Sequence, residues 1–193
     1  MIYIGIVGNC QMVSICFFLQ KLLENKEYDI RWISYSDAFN IHLSEWSDKC
    51  KNKILNVQEG IEFIKKCDYI LYQKIKKETS PYFNTEDLEN YKKPTAKIFS
   101  ISKIFVPFEN YQESILKFKE VDENENNNIK VSKIIENIKN INSILINKYH
   151  PTTFLFLEIV KHICRHIDVD FFPPNIYHNL IRRPNIMGLS TGE

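Results

Sequence analysis

The feature of this sequence that most constrains its fold is a strand, a glycine turn and a helix at its start. Residues 3–7 form a β-branched apolar run that stops at Gly8. Apolar residues then recur at near-helical intervals over residues 11–23. This pattern is typical of the first unit of an α/β fold, in which strands and helices alternate along the chain.

Three further runs resemble strands, and stretches of helical character separate them. The runs cover residues 30–35, 68–73 and 96–102, and apolar residues repeat at helical intervals from Val57 to Cys67. Strands separated by helices imply right-handed crossovers and a parallel sheet covered on both faces. The length of 193 residues fits one domain. We therefore predict a single α/β domain, residues 1–193, with a mostly parallel sheet of four or five strands.

The second half of the chain is predicted to be largely helical. An Ile-rich stripe with steps of three and four predicts one amphipathic helix over residues 131–146. Pro151 and Thr152 suit the start of another helix, over residues 153–167. The Glu- and Asn-rich segment near residues 120–129 predicts a solvated loop without function. From about residue 173, after two prolines, we expect a short basic tail.

Composition excludes several classes of protein. Lys and Arg number 25 against 24 Asp and Glu, so the net charge of +1 gives no global attraction to nucleic acid or to an anionic membrane. Five cysteines without a Cys-x-x-Cys pair predict neither a disulfide framework nor a thiolate zinc site. No apolar run approaches the roughly 20 residues that span a bilayer, and no basic leader precedes the first strand. We interpret the protein as cytoplasmic.

The turn Gly8-Asn9-Cys10-Gln11 is the strongest candidate for chemistry, because parallel α/β sheets bind ligands at the carboxyl ends of their strands. Cys10 is expected at a helix N-terminus, where the helix dipole and free N–H groups favour a thiolate and so an activated nucleophile. The alternative is that Cys10 is a small buried residue under the turn. The turn matches neither the dinucleotide fingerprint nor a P-loop.

Two later positions offer partners for Cys10. His150 lies on a predicted loop between two helices and would act as the base of a cysteine nucleophile, with Asn147 orienting its ring. The alternative for His150 is a loop histidine in a helix-capping segment. Gln73 ends the third predicted strand, so its amide is expected at the same sheet edge as Cys10, facing an oxyanion or a ligand. A surface glutamine is the alternative there.

These motifs resemble the WcbI family of polysaccharide biosynthesis proteins, which is similar to the SGNH hydrolases. The resemblance rests on Gly-Asn-Cys-Gln after the first strand, on Asp68-x-x-x-x-Gln73, and on a late His-Pro-Thr before an apolar helix. It implies a three-layer flavodoxin/SGNH-like sandwich, coenzyme A or acyl-CoA as co-substrate, and acyl transfer to a sugar or polysaccharide hydroxyl. Cys10 stands where an SGNH enzyme keeps serine and Asn147 where it keeps aspartate, which argues against ordinary ester hydrolysis.

Under this resemblance, the catalytic residues are Cys10, His150 and Asn147, and Gly8, Asn9, Gln11 and Gln73 contact the oxyanion or ligand. Four cations are candidates for the coenzyme A phosphates: Lys74, Lys103, Arg182 and Arg183.

Three further expectations complete the sequence analysis. An SGNH-like esterase or thioesterase and a non-catalytic coenzyme A- or glycan-binding module remain alternatives to the acyltransferase. His162 and His166 are spaced as two metal ligands would be, but no third is evident, so we predict no metal site. We expect no nucleic-acid partner.

Overall fold

The structure is a computed structural model that describes residues 1–24, 27–35, 56–78, 80–104, 111–138, 145–147 and 150–169. Within these ranges the protein is an α/β fold. A four-stranded parallel sheet carries helices on both faces, which makes a three-layer sandwich. The fold class predicted from the alternation of strands and helices is confirmed. Arg182 and Arg183, and the tail expected from residue 173, lie outside the described residues.

The sheet has the order β2-β1-β3-β4, and every pairing in it is parallel. Its strands are β1 (Ile2–Val7), β2 (Tyr28–Ile33), β3 (Tyr69–Gln73) and β4 (Lys97–Ile101). The first strand therefore lies inside the sheet. This order matches the first four strands of the flavodoxin-like doubly wound fold. Outside β4, Ile129 makes one parallel bridge to Ile101.

The described ranges contain six helices and one short antiparallel strand pair. The helices are α1 (Cys10–Leu22), α2 (Val57–Ile64), α3 (Thr85–Tyr91), α4 (Tyr111–Asn124), α5 (Val131–Glu136) and α6 (Thr153–His166). The strand pair, β5 (Leu145–Asn147) and β6 (His150–Pro151), directly precedes α6. None of these helices combines the length and the apolar character that crossing a bilayer requires.

Each face of the sheet has its own core because successive strand residues point to opposite sides. On β1, Ile4 and Ile6 belong to the core shared with α1, α4, α5 and α6. Val7 belongs to the second core, with α2 and α3. Packing of α1 against α6 closes the first core, where the rings of Phe18 and Phe156 lie 6.1 Å apart.

Side-chain caps begin four of the helices. Asn9, Asn56 and Asn84 each accept a hydrogen bond from a backbone N–H in the first turn of α1, α2 and α3. Thr152 does the same for α6 by accepting from the Leu155 N–H. The predictions that Thr152 begins a helix and that this helix runs from residue 153 to about 167 are thereby confirmed.

The prediction of one helix over residues 131–146 is wrong. Helix α5 ends at Glu136, and Leu145–Asn147 is a strand. Asn137 ends the helix, and its side-chain amide donates to the Lys133 carbonyl oxygen at 2.9 Å. β-Branched Ile residues suit strands as well as helices, so the apolar stripe did not determine where the helix stops.

The prediction of a solvated loop near residues 120–129 is also wrong, while the absence of function expected there stays a prediction. Helix α4 continues to Asn124, and Asp122 is fully buried. The helix ends with Asn126 in the left-handed region at φ 48°, and the N–H groups of Asn126 and Asn127 return to the last turn. The polar composition of this segment suggested solvent exposure. In the structure, however, Asp122 and Asn127 are buried and Asn126 ends the helix.

Candidate functional site

The candidate site lies at the carboxyl ends of β1 and β3, where the chain turns from one side of the sheet to the other. From β1 the chain crosses to β2, and then returns to β3 on the opposite side of β1. In doubly wound sheets the crevice at such a reversal is the usual place for a ligand. Gly8–Gln11 follows β1 at this point, and Gln73 is the last residue of β3.

Gly8 is required by the geometry of the turn. Its φ is +154°, and an added Cβ would lie 2.5 Å from Met12 Cγ and 3.0 Å from Gln73 Oε1. The Gly8 carbonyl oxygen accepts a hydrogen bond from Trp32 Nε1 at 3.1 Å. Contacts with Trp32 of β2 and Gln73 of β3 therefore fix the turn, and Gly8 contributes to it through its backbone conformation and its carbonyl oxygen.

Asn9 caps α1. Its Oδ1 accepts from the Gln11 N–H at 2.9 Å, while its carbonyl oxygen accepts from the Met12 N–H. Its own N–H donates to Gln73 Oε1 at 3.4 Å. These hydrogen bonds orient the start of α1, and the Asn9 residue is only 9% exposed. A ligand-binding role for Asn9 stays a prediction.

Two buried glutamines join the ends of β1, β3 and β4. Gln73 Nε2 donates to Gln11 Oε1 at 3.1 Å. Gln11 Oε1 also accepts from the Ile104 N–H at 3.0 Å, and Gln11 Nε2 donates to the Ile104 carbonyl oxygen at 2.7 Å. The described contacts of both side chains are thus within the protein. Their predicted contact with an oxyanion or ligand stays a prediction.

The Cys10 side chain is half-buried at the first position of α1. Burial raises the pKa of its thiol above the ordinary value, although the backbone N–H groups of Gln11 and Cys10 and the Lys103 charge all lower it. We expected a depressed pKa from the helix N-terminus, and the direction is the opposite because desolvation is the largest contribution. The resting thiol is therefore protonated near neutral pH, and a nucleophilic role requires a base.

Tyr35 and Lys103 are the described side chains whose electrostatics are coupled to Cys10. The pKa of Tyr35 is raised by burial and further by the Cys10 thiolate. Lys103 is exposed, directly after the buried Ser102. Sequence reasoning selected Lys103 but missed Tyr35. Tyr35 lies just past β2, which places it at the same carboxyl edge as Cys10. The predicted parallel topology could therefore have identified Tyr35 as a neighbour of the candidate site.

Lys74 follows Gln73 directly and is half-buried. Lys74 is thus the first residue after β3, and Lys103 follows the end of β4 by two residues, so both lie at the carboxyl edge of the sheet. Binding of phosphates by either lysine stays a prediction.

His150 and Asn147 are backbone partners in the antiparallel pair β5–β6. Helix α6 follows within three residues, and its far end lies at the amino edge of the sheet, where Asp168 pairs with Lys97 at the start of β4. A helix of 14 residues spans about 21 Å, enough to return the chain to the opposite edge. We therefore expect β6 near the edge that holds Cys10, and the proposed Cys10–His150 pair stays a prediction.

Asp68 and Gln73, the two ends of one quoted motif, have different roles. Asp68 precedes β3 at the amino edge, where its carboxylate accepts from the Tyr3 N–H at 2.8 Å and pairs with Lys93 at 2.6 Å. Partial burial opposes ionisation of Asp68, but Lys93 and the Tyr3 N–H outweigh it and lower the pKa. Asp68 thus stabilises the sheet at the edge opposite Cys10.

Sequence reasoning missed a buried polar cluster beside the end of β4. The fully buried Asp122 carboxylate accepts from the Ser102 hydroxyl, from the Ser132 N–H at 2.8 Å and from Asn127 Nδ2 at 3.4 Å. Burial raises its pKa, although Ser132 and Asn127 lower it. No local pattern signals the cluster, because Ser102 and Asp122 are 20 residues apart.

Two other features of the described residues are a histidine pair on α6 and a cavity beside α2. His166 Nδ1 lies 2.8 Å from the His162 carbonyl oxygen, and the His166 ring packs edge-on against Phe99. Among the described residues, no three or more His, Cys, Asp or Glu side chains cluster as metal ligands would. A cavity of about 440 Å³ opens beside α2. Two cations, Arg31 and Lys66, line it beside the acidic Glu59 and Glu62. Arg31 is paired with Asp29 at 2.7 Å and lies over the Phe63 ring, so its charge is neutralised within the fold.

Comparisons with protein-family models, with curated proteins and with solved structures find no match to this chain.

Proposed function

We propose that this protein is a coenzyme A-linked acyltransferase that acts on a sugar or polysaccharide hydroxyl. One observation carries the proposal: Cys10 begins a helix at the strand-order reversal, and Lys103 is at the same edge and close enough for its charge to act on the thiol. The resemblance of the turn and of His150-Pro151-Thr152 to the WcbI family supports this choice of substrate. Free thiols at the described cysteines fit a reducing cytoplasm as its location.

In the proposed reaction, the Cys10 sulfur attacks the thioester carbonyl carbon of acyl-CoA. His150 takes the thiol proton and passes it to the departing coenzyme A sulfur, which leaves an acyl group on Cys10. The same base then removes the proton of the acceptor hydroxyl, whose oxygen attacks the acyl carbon, and returns that proton to the departing Cys10 sulfur, which restores the thiol. One thioester is broken and one oxygen ester is formed, so no oxidant or further reactant is required.

The electrostatics of the site favour general-base activation over a preformed thiolate–imidazolium pair. A thiol whose pKa is raised by burial holds its proton at rest, and the base removes it only as the carbon–sulfur bond forms. The N–H groups of Cys10 and Gln11 lie next to the sulfur, at the positive end of the α1 dipole, and the Gln11 N–H already donates to Asn9 Oδ1. The Cys10 N–H and the helix dipole are suited to stabilise negative charge on the thioester oxygen in the tetrahedral intermediate.

The raised pKa of Cys10 also favours a second candidate function, a non-catalytic module that binds coenzyme A or a glycan. In that case Cys10 lines the ligand site as a neutral thiol. Lys103 and Lys74 would then supply binding energy alone, through their contacts with phosphate oxygens.

Thermal unfolding with added acetyl-CoA, followed by intact-protein mass spectrometry, tests the proposal. A ligand present at about 100 times its Kd raises Tm by about 5–10 °C in a domain of this size. We expect this shift with acetyl-CoA but not with ATP at equal concentration. In the absence of an acceptor, one acetyl group should accumulate on the wild-type protein and none on Cys10→Ala.

The other outcomes separate the alternatives. A Tm shift without an acetylated protein, and without acetyl transfer to any added sugar, selects the binding module. Release of acetate into water at the rate of acetyl-CoA consumption selects a thioesterase. No Tm shift with acetyl-CoA contradicts both the transferase and the coenzyme A-binding module.

A further inference from the structure

We propose that Gln11 is a positioning residue: by pairing its carboxamide with the backbone of Ile104, it holds Lys103 beside the Cys10 thiol. The inference goes beyond the proposed function, because it concerns the electrostatics of Cys10 whether or not an acyl group is transferred. It assigns to Gln11 a task that differs from the ligand contact predicted from the sequence.

The Gln11–Ile104 contact uses both polar atoms of the side chain. Oε1 accepts from the Ile104 N–H at 3.0 Å, and Nε2 donates to the Ile104 carbonyl oxygen at 2.7 Å. Gln73 fixes the amide from the opposite side, by donating to the same Oε1 at 3.1 Å. Gln11 is 6% exposed and Ile104 is 3% exposed, so water does not easily replace these bonds.

The residue on the other side of Lys103 is fixed as well. The Ser102 hydroxyl is 1% exposed, contacts the Asp122 carboxylate and the Ile129 carbonyl oxygen, and accepts from the Val131 N–H. Lys103 therefore lies between two buried, hydrogen-bonded neighbours, while its own side chain is exposed. This arrangement fixes the position of the Lys103 backbone, while its side chain stays exposed to solvent.

The position of Lys103 affects the pKa of the Cys10 thiol through the lysine charge. Lys103 lowers the pKa of the Cys10 thiol, against the larger opposite effect of burial. The other titratable group that faces Cys10 among the described residues is Tyr35, from the end of β2; its own pKa is raised, so it is neutral near pH 7. Lys103 is thus the described cation that acts on this thiol, and Gln11 sets its distance.

The test measures the rate of Cys10 alkylation by iodoacetamide against pH, with Cys10 resolved from the other cysteines by peptide mass spectrometry. Only the thiolate reacts, so the rate reports its population. We expect Lys103→Gln to slow alkylation at pH 7.5 about two- to threefold, the effect of one partly screened charge. Gln11→Met should slow it by a similar factor in the wild-type background and cause no further change in the Lys103→Gln background.

Gln20→Met is a matched control. Gln20 lies on the same helix and donates through Nε2 to the Ile30 carbonyl oxygen at 2.7 Å, on the side of β2. It should lower Tm without moving the pH profile of Cys10. Salt adds a readout that needs no core substitution: raising the salt concentration should slow alkylation of the wild type and leave Lys103→Gln unaffected.

Two results would overturn the inference. The first is an unchanged Cys10 pH profile and salt dependence in Lys103→Gln, a variant of an exposed residue that should fold normally. The second is a Gln11→Met effect that persists in full in the Lys103→Gln background, because Gln11 would then act on Cys10 by another route. If Gln11→Met does not fold, Gln11→Asn, which keeps the amide but is too short to reach Ile104, takes its place with the same two criteria.

Discussion

The carboxamide of Gln11 pairs with both backbone polar groups of Ile104, across 93 residues of sequence. This contact joins the start of α1 to the segment after β4, and the Gln73 amide adds the end of β3. The carboxyl ends of three neighbouring strands, β1, β3 and β4, are therefore held together at this edge of the sheet. Cys10 lies at the same edge, next to Gln11.

Substitution of Gly8 by alanine should destabilise the protein by about 2–3 kcal/mol, through backbone strain and overpacking. The added Cβ would lie 2.5 Å from Met12 Cγ, at a φ of +154°. Gly60→Ala is the control: its Cβ also meets side-chain atoms, at 2.9 Å, but the residue is in α2, where alanine favours the helix. Urea denaturation measures both, and an equal or smaller loss at Gly8 would contradict the turn geometry.

Asp122→Ala should cost about 2–4 kcal/mol, because it leaves the buried Ser132 N–H without its acceptor. Asp122→Asn keeps an acceptor and should cost less. Glu123, the exposed neighbour on α4, offers the matched control, and Glu123→Ala should have little effect on stability. Similar unfolding midpoints for Asp122→Ala and Glu123→Ala would show that the buried cluster does not stabilise the fold.

The Asp68–Lys93 pair predicts a specific dependence of stability on pH. The pKa of Asp68 is lower in the folded protein than its ordinary value, so its contribution is present above that ordinary value and is lost as the pH falls through the folded pKa. Both side chains are about one-third exposed, so we expect about 1 kcal/mol after solvent screening. The stability difference between wild type and Asp68→Asn should therefore be present in full at pH 7, begin to shrink near pH 4 and be lost as the pH falls further, through the folded pKa. A difference that is constant with pH would exclude this origin.

The proposed Cys10–His150 pair predicts that His150→Ala slows acetylation of Cys10 by acetyl-CoA near neutral pH by about 100-fold, because the buried thiol loses the base that removes its proton as the carbon–sulfur bond forms. His162→Ala is the matched histidine control, since His162 lies on α6 beyond the start of the helix and is not expected to reach the site. Equal rates in His150→Ala and wild type would remove His150 as the base, and the thiol would then need another partner.

The parts of the fold that the sequence predicted correctly depend on local patterns. The apolar run ending at Gly8 and the helical spacing after it define β1 and α1 within two residues of their observed bounds. The position of Gln73 followed from topology, since parallel strands end at one edge. Both inferences require only neighbouring residues and the connection rule for parallel strands.

The parts that it did not predict depend on contacts between distant residues. Asp122 is in a polar run that resembles a loop, and its burial follows from Ser102 and Ser132, which the pattern around it does not include. The contact of Gln11 with Ile104 was not predicted, because Ile104 lies in the segment after β4, 93 residues along the chain. The direction of the Cys10 pKa depends in the same way on how many atoms cover the thiol, which helix position alone does not determine.

Protection of Cys10 by acetyl-CoA is the most direct test that this edge of the sheet binds coenzyme A. Acetyl-CoA carries no free thiol, so it does not consume iodoacetamide, and the alkylation of Cys10 can be followed by peptide mass spectrometry as its concentration rises. Measurement on the His150→Ala variant, in which acetyl transfer to Cys10 should be slow, keeps protection by binding separate from acetylation. The account predicts that alkylation of Cys10 slows to a saturable limit with acetyl-CoA and does not slow with ATP. A rate of Cys10 alkylation that stays constant up to millimolar acetyl-CoA would contradict it.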